Sequence, residues 1–140
     1  MNTQINIWIV LFIIFIHWIA DFLFQDEKWA ITKSKNFRNL ILHTATYSAI
    51  WFPISMMLFK IVSPDQTKYW YFQHGAYFFY ITFILHTITD YYTSRLNSKL
   101  YEKKKFGGPI PNWGFFSSIG LDQVYHYVQL FLTFQLLLML

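Results

Sequence analysis

Cysteine is absent from the 140 residues. That excludes disulfides, thiolate zinc sites, iron–sulfur clusters and cysteine nucleophiles together, and it leaves the redox compartment open. Charge is scarce: 13% of the residues are charged, about half the share usual in a soluble domain. No nucleic-acid recognition motif is present. The net charge of +4 comes from basic residues beside hydrophobic runs, where membrane orientation already accounts for them, so nucleic acid is not an expected partner. No lysine or arginine precedes Lys28. The basic n-region of a cleavable signal peptide is therefore missing, and the first hydrophobic segment is expected to be retained.

What the chain has in quantity is apolar length. Hydrophobic residues make up 55% and aromatic residues 23%, in contiguous runs of about 20 that exceed what a small soluble core needs. Four spans are expected, at about Ile5–Phe24, Leu40–Ile61, Tyr71–Tyr92 and Ile119–Leu140. At about 1.5 Å per residue, 20 residues match a hydrocarbon core of about 30 Å. Pro53 falls inside the second and is expected to kink it without ending it. The expected fold is an all-α, four-transmembrane-helix bundle, with residues 1–140 forming a single integral membrane domain.

Loop charge sets the orientation. Nine of the eleven basic residues lie between spans one and two (Lys28, Lys33, Lys35, Arg38) or three and four (Arg95, Lys99, Lys103, Lys104, Lys105). Both loops are therefore expected in the cytoplasm and both termini outside. Residues Phe106 to Trp113 read as an interfacial loop because Gly107, Gly108, Pro109 and Pro111 stop a helix there. Tyr92 to Lys105 has neither glycine nor proline and can prolong span three beyond the membrane.

Three of the seven acidic residues, Asp21, Asp90 and Asp122, fall in or at the ends of spans, where ionisable groups are costly and commonly functional. Each has a histidine four residues away: His17 with Asp21, His86 with Asp90, and His126 with Asp122. Residues four apart share a helix face. Span two adds His43, with Asn39 four residues before it. The alternating direction of the spans puts all of these at similar depth on the cytoplasmic side, the arrangement by which helix bundles build metal sites. The order His17, Asp21, Asn39, His43 is echoed by His86, Asp90, Asp122, His126, which suits a pseudo-twofold repeat of two helical hairpins.

Imidazole and carboxylate together suit a divalent transition metal, Zn, Mn or Fe, as one or two ions. The metal candidates are His17, Asp21, His43, His86, Asp90, Asp122 and His126, supported by Gln25, Asn39 and Gln123. Among them Asp21, Asp90 and Asp122 are the catalytic candidates, since a spare carboxylate beside a metal-polarised water can take its proton. A proton or ion path and a structural polar network are the other readings of the same residues. His74, at the outer end of span three, reads as an interfacial residue, and Tyr47 lies one turn beyond His43 on its face.

At His17-Trp18-Ile19-Ala20-Asp21-Phe22-Leu23-Phe24-Gln25, Leu42-His43, His86-Thr87-Ile88-Thr89-Asp90 and Asp122-Gln123-Val124-Tyr125-His126, the chain resembles a domain-of-unknown-function family of small membrane proteins from bacteria and their phages. The resemblance covers nearly the full length and implies a bacterial inner membrane, but no established activity. A more distant likeness is to membrane-embedded metal-dependent hydrolases that use His and Asp at helix ends, an analogy of site and not of fold.

The expected function is a membrane-embedded metal-dependent hydrolase opening to the cytoplasmic leaflet, acting on a lipid or other amphipathic substrate. The alternative is a metal-ion or proton transporter or channel using the same His/Asp cluster. Spans two to four offer little polar path beyond the cluster, which favours the enzyme.

Overall fold

The structure, a computed structural model, describes residues 6–107 and 110–140. Ile5, the expected start of the first span, and Gly108 and Pro109 of the expected interfacial loop lie outside the described residues. The fold is all-α. Helix α1 (Ile7–Trp18) runs directly into a π-helical turn (Ile19–Leu23), followed by a short α2 (Glu27–Thr32) and three long helices, α3 (Phe37–Val62), α4 (Lys68–Glu102) and α5 (Trp113–Leu138).

Each helix that follows a break starts where a short polar side chain can accept from a free backbone N–H. Asn6 accepts from Trp8, Asp26 from Lys28, Asn36 from Arg38 and Asn39, Thr67 from Trp70, and Asn112 from Phe115. The α3–α4 turn at Ser63-Pro64 is tied down by Tyr71, whose hydroxyl reaches the Ser63 and Pro64 carbonyl oxygens at 2.8 and 3.0 Å. Pro53 lies within α3 without ending it. The chain from Tyr92 continues α4 to Glu102, so the expected loop is shorter than the basic segment, and α5 begins at Trp113, six residues before the expected fourth span.

The most extensive packing is between α3 and α4. Gly75 permits it: a Cβ there would lie 2.5 Å from Met56 Cγ. A core of Ile13, Trp51, Leu58, Phe59, Phe78, Leu130 and Phe134 joins α1, α3, α4 and α5. The Phe59 and Phe134 rings stack at 5.0 Å, an arrangement contributing about 0.5–1.5 kcal/mol beyond area burial.

Among the described residues one helix, Phe37–Val62, is both long and apolar enough to cross a membrane; Ile7–Leu23 is apolar but shorter. The outward faces are nonetheless greasy. Trp8, Leu11, Phe15 and Trp18 on α1, Phe72, Tyr80, Ile84 and Ile88 on α4, and Val124, Val128, Leu132 and Leu136 on α5 are all exposed.

Candidate metal centre

The end of the bundle where α1 stops, α3 and α5 begin and α4 passes through carries nearly all of its buried charge. His17, Asp21, His43, His86, Asp90 and His126 are buried there, and Asp122 is partly buried. His86 lies between two rings, Tyr47 at 4.1 Å and His126 at 4.1 Å with planes 16° apart. The Nδ1 atoms of His43, His86 and His126 have no hydrogen-bond partner in the protein. Ring packing, with no Nδ1 hydrogen bond, therefore sets how these imidazoles point.

Their Nε2 atoms point inward. His43 Nε2 and His86 Nε2 are 3.2 Å apart, and Asp21 Oδ1 lies 3.2 Å from the first and 3.5 Å from the second. Asp90 Oδ2 forms a second triangle on the same edge, at 3.0 and 3.4 Å. Ligands held tetrahedrally at about 2.0–2.1 Å from zinc are about 3.3 Å apart, so each triangle has the size of one face of such a site. Asp21 Oδ1 has no hydrogen-bond partner. Two imidazole nitrogens and a carboxylate oxygen at this spacing need a cation or protons between them.

A further set adjoins the first. Ligand atoms of His86, Asp90 and His126 all lie within 4.8 Å of one another, as do those of Asp21, His43 and His86. One imidazole nitrogen holds one metal ion at a time, so the two sets compete for His86. Asp122 Oδ2 lies 3.6 Å from His126 Nε2, and Asp90 Oδ1 lies 3.4 Å from the same nitrogen. Buried Asp/His groups of this kind could hold a metal ion.

His17 stands apart from these triangles. Its Nδ1 is 2.7 Å from the Tyr47 hydroxyl and its Nε2 is 2.7 Å from Gln123 Oε1, while Asp21 is 3.9 Å away. The Gln123 amide nitrogen donates to Asp21 Oδ2 at 3.2 Å and to Asp122 Oδ2 at 3.3 Å. Those two acceptors fix the amide orientation, and its oxygen must then accept from His17. The neutral imidazole accordingly carries its proton on Nε2 and accepts from Tyr47 on Nδ1. The π-helical turn lies between His17 and the cluster. A wider turn rotates Asp21 away from the face that regular i, i+4 spacing assigns to it.

Lys33 is the functional residue that sequence reasoning missed. It is read from sequence as a loop charge that orients the membrane protein, yet its ammonium donates to Asp90 Oδ2 at 2.7 Å and lies 3.3 Å from His43 Nε2. Burial opposes its charge, but the Asp90 and Asp21 carboxylates outweigh burial and hold its pKa above the ordinary lysine value. Asn39 explains how it gets there. Its side-chain amide donates to Thr32 Oγ1 at 2.6 Å, fixing the end of α2 from which Lys33 projects, so Asn39 supports the cluster only through Lys33. The lone signal in the sequence was a lysine directly after a polar Thr at a helix end, which is too common to select.

A cavity of about 290 Å³ leads to the cluster. Asp21, Lys33, Asp90, Asp122 and Gln123 line it, with Gln25, Thr93, Ser94 and Asn97 as further polar wall and Phe22 and Ile119 as apolar wall. Gln25 Oε1, Ser94 Oγ and Asp122 Oδ1 are buried without partners. His74 lies at the opposite end of the bundle, buried and stacked on Trp70 at 3.6 Å.

No family model, curated protein or solved structure matches the chain.

Proposed function

We propose that the chain is a four-span membrane protein whose His/Asp cluster binds a divalent transition metal and hydrolyses a lipid or other amphipathic substrate at the cytoplasmic leaflet. The observation that carries the metal reading is the pair of triangles on the His43–His86 edge, with sides of 3.0–3.5 Å. Asp21, His43, His86 and Asp90 would hold the metal. Asp122 lines the cavity and has a buried Oδ1 without a partner, so its carboxylate would be the proton acceptor. A metal held there would polarise a water for attack on the ester, and the Asp122 carboxyl would return the proton to the leaving oxygen.

Support for four spans comes from the exposed apolar side chains along α1, α4 and α5, since contiguous exposed apolar faces mark contact with a partner or a membrane. The likeness to a family of small bacterial and phage membrane proteins belongs to the same proposal, as does an inner-membrane location with both termini outside. Since the chain has no cysteine, single cysteines report topology cleanly: an impermeant maleimide should label Asp65→Cys from outside the cell and spare Lys103→Cys.

One observation favours the alternative, a metal-ion or proton transporter. Ser48, Trp51, Thr82 and His74 carry buried side-chain polar atoms without partners between the cluster and the outer end, a more polar interior than the sequence indicates. Against it, the rings of Phe59, Phe78 and Phe134 are packed and buried in the same half.

Elemental analysis of protein purified in detergent tests the proposal. Stoichiometric metal in the parent, lost in folded His43→Ala and Asp90→Ala variants, followed by lipid-ester cleavage that requires the metal, is the expected result. A parent that binds no metal after reconstitution with Zn, Mn or Fe overturns it. Metal or proton uptake into proteoliposomes without any hydrolysis moves the function to the transporter.

A further inference from the structure

Resting on the metal reading above, we propose that Lys33 is a tethered cation that occupies the metal site's Asp90 in the metal-free protein and, once metal displaces it, binds the phosphate group of an amphipathic phosphoester in the cavity.

Lys33 Nζ sits on one of the two triangles, 2.7 Å from Asp90 Oδ2 and 3.3 Å from His43 Nε2. The Asp21, His43 and His86 triangle lies beside it and shares His43 with it. For a divalent ion entering that triangle, Asp90 Oδ2 is a further protein ligand within reach on the same His43–His86 edge, and an ion that took it would lie next to an ammonium whose carboxylate partner it had taken. Like charges at such a distance repel strongly where water is scarce. Lysine has a long flexible stem with rotatable donors, so the ammonium can leave without moving the backbone. The Thr32–Asn39 hydrogen bond anchors α2 meanwhile.

The direction of departure is set by the cavity, which Lys33 itself lines. There the displaced ammonium meets donors suited to an oxyanion, the Ser94 hydroxyl and the Asn97 amide nitrogen, while the Thr93 hydroxyl already donates to the Thr89 carbonyl. Ser94 Oγ is buried with no partner, so its proton is free to donate. Ammonium, hydroxyl and amide donors converging beside a metal describe a phosphate pocket. At about 290 Å³ the cavity is at the small end of ligand sites. It suits a headgroup, and Phe22 and Ile119 on its wall give an acyl chain an apolar exit. Metal and phosphate binding are then coupled, each tightening the other.

Two measurements on the full-length protein test this. First, Lys33 is labelled with trinitrobenzenesulfonate and followed by peptide mass spectrometry. Added manganese or zinc should raise Lys33 labelling at least about fivefold by shifting it out of its ion pair. Phosphate added afterwards should suppress labelling again. Suppression by inorganic phosphate assigns the phosphate group alone, whereas suppression only by phosphatidic acid in mixed micelles assigns a lipid phosphate. Second, Lys33→Met should bind metal at least about tenfold more tightly, equivalent to about 1.4 kcal/mol, and its affinity should no longer respond to phosphate.

Lys33 labelling that metal binding leaves unchanged, or a folded Lys33→Met that loses metal as His43→Ala does, overturns the proposal. If Lys33→Met does not fold, labelling of the parent decides. A parent that binds no metal ends both this proposal and the metal reading; a parent that binds metal with Lys33 still protected ends this one alone.

Discussion

The two ends of the bundle each bury histidine, and they handle it differently. At the outer end His74 is alone: its ring stacks on Trp70 at 3.6 Å and its Nδ1 is bonded to the Trp70 carbonyl at 2.9 Å. No carboxylate approaches it among the ion pairs of the described residues. At the other end His43, His86 and His126 turn Nε2 atoms inward onto Asp21 and Asp90, 3.0–3.5 Å away. Burial alone therefore does not mark a site. Convergence of acceptors that cannot satisfy one another does, because such a set is stable only around a cation or shared protons.

The sharpest way to break this contrast is to remove one residue from each end. Asp90→Ala should leave less than about a tenth of the parent's metal, since it removes the carboxylate shared by His43, His86 and His126. His74→Ala should retain the parent stoichiometry. Equal metal loss in both would erase the distinction between the ends.

The next largest effect separates packing from binding. Phe59 is fully buried against Phe134, so Phe59→Ala should cost about 3–5 kcal/mol of stability, measured by unfolding in detergent. Metal bound per folded molecule should not change. A smaller effect is expected at Tyr47, beside the cluster. Tyr47→Phe deletes the donor to His17 Nδ1, leaves the His17–Gln123 chain without its anchor, and should weaken metal binding about 10–100-fold, read by competition with a chelating dye.

The smallest effect is a pH dependence confined to the cluster. Lys33 has a pKa raised above its ordinary value: burial works against the ammonium, and Asp90 and Asp21 more than compensate. The stability it contributes is fully present below the unfolded lysine pKa of about 10.4 and is lost as pH rises through the higher folded value. The melting temperature of metal-free parent should thus fall more steeply above about pH 10 than that of Lys33→Met. Parallel curves would show that the pair adds no stability.

Much of the cluster is legible as sequence because helix periodicity converts spacing into direction. His86 and Asp90, on an unbroken stretch of α4, lie 3.4 Å apart at their ligand atoms. His17 and Asp21 have the same spacing, but a π-helical turn intervenes and their closest atoms are 3.9 Å apart. The pseudo-twofold relation expected between the hairpins is likewise partial. Asp21 meets His43 much as Asp90 meets His126, at 3.2 and 3.4 Å, but Asn39 holds Thr32 where its counterpart Asp122 faces His126.

While the structure moved the helix starts outward from Leu40, Tyr71 and Ile119 to the caps at Asn36, Thr67 and Asn112, the sequence by itself determined the helical class and the gathering of His and Asp at one depth. These follow from local rules of periodicity, hydropathy and hydrogen bonding that act within a few residues. Only the tertiary structure decided which atoms meet: that His17 is taken by Tyr47 and Gln123, that Asn39 serves α2, and that Lys33 reaches Asp90 across 57 residues of chain. Such partnerships depend on helix rotation and on the reach of flexible side chains, and an error of one turn position redirects a side chain by about 100°.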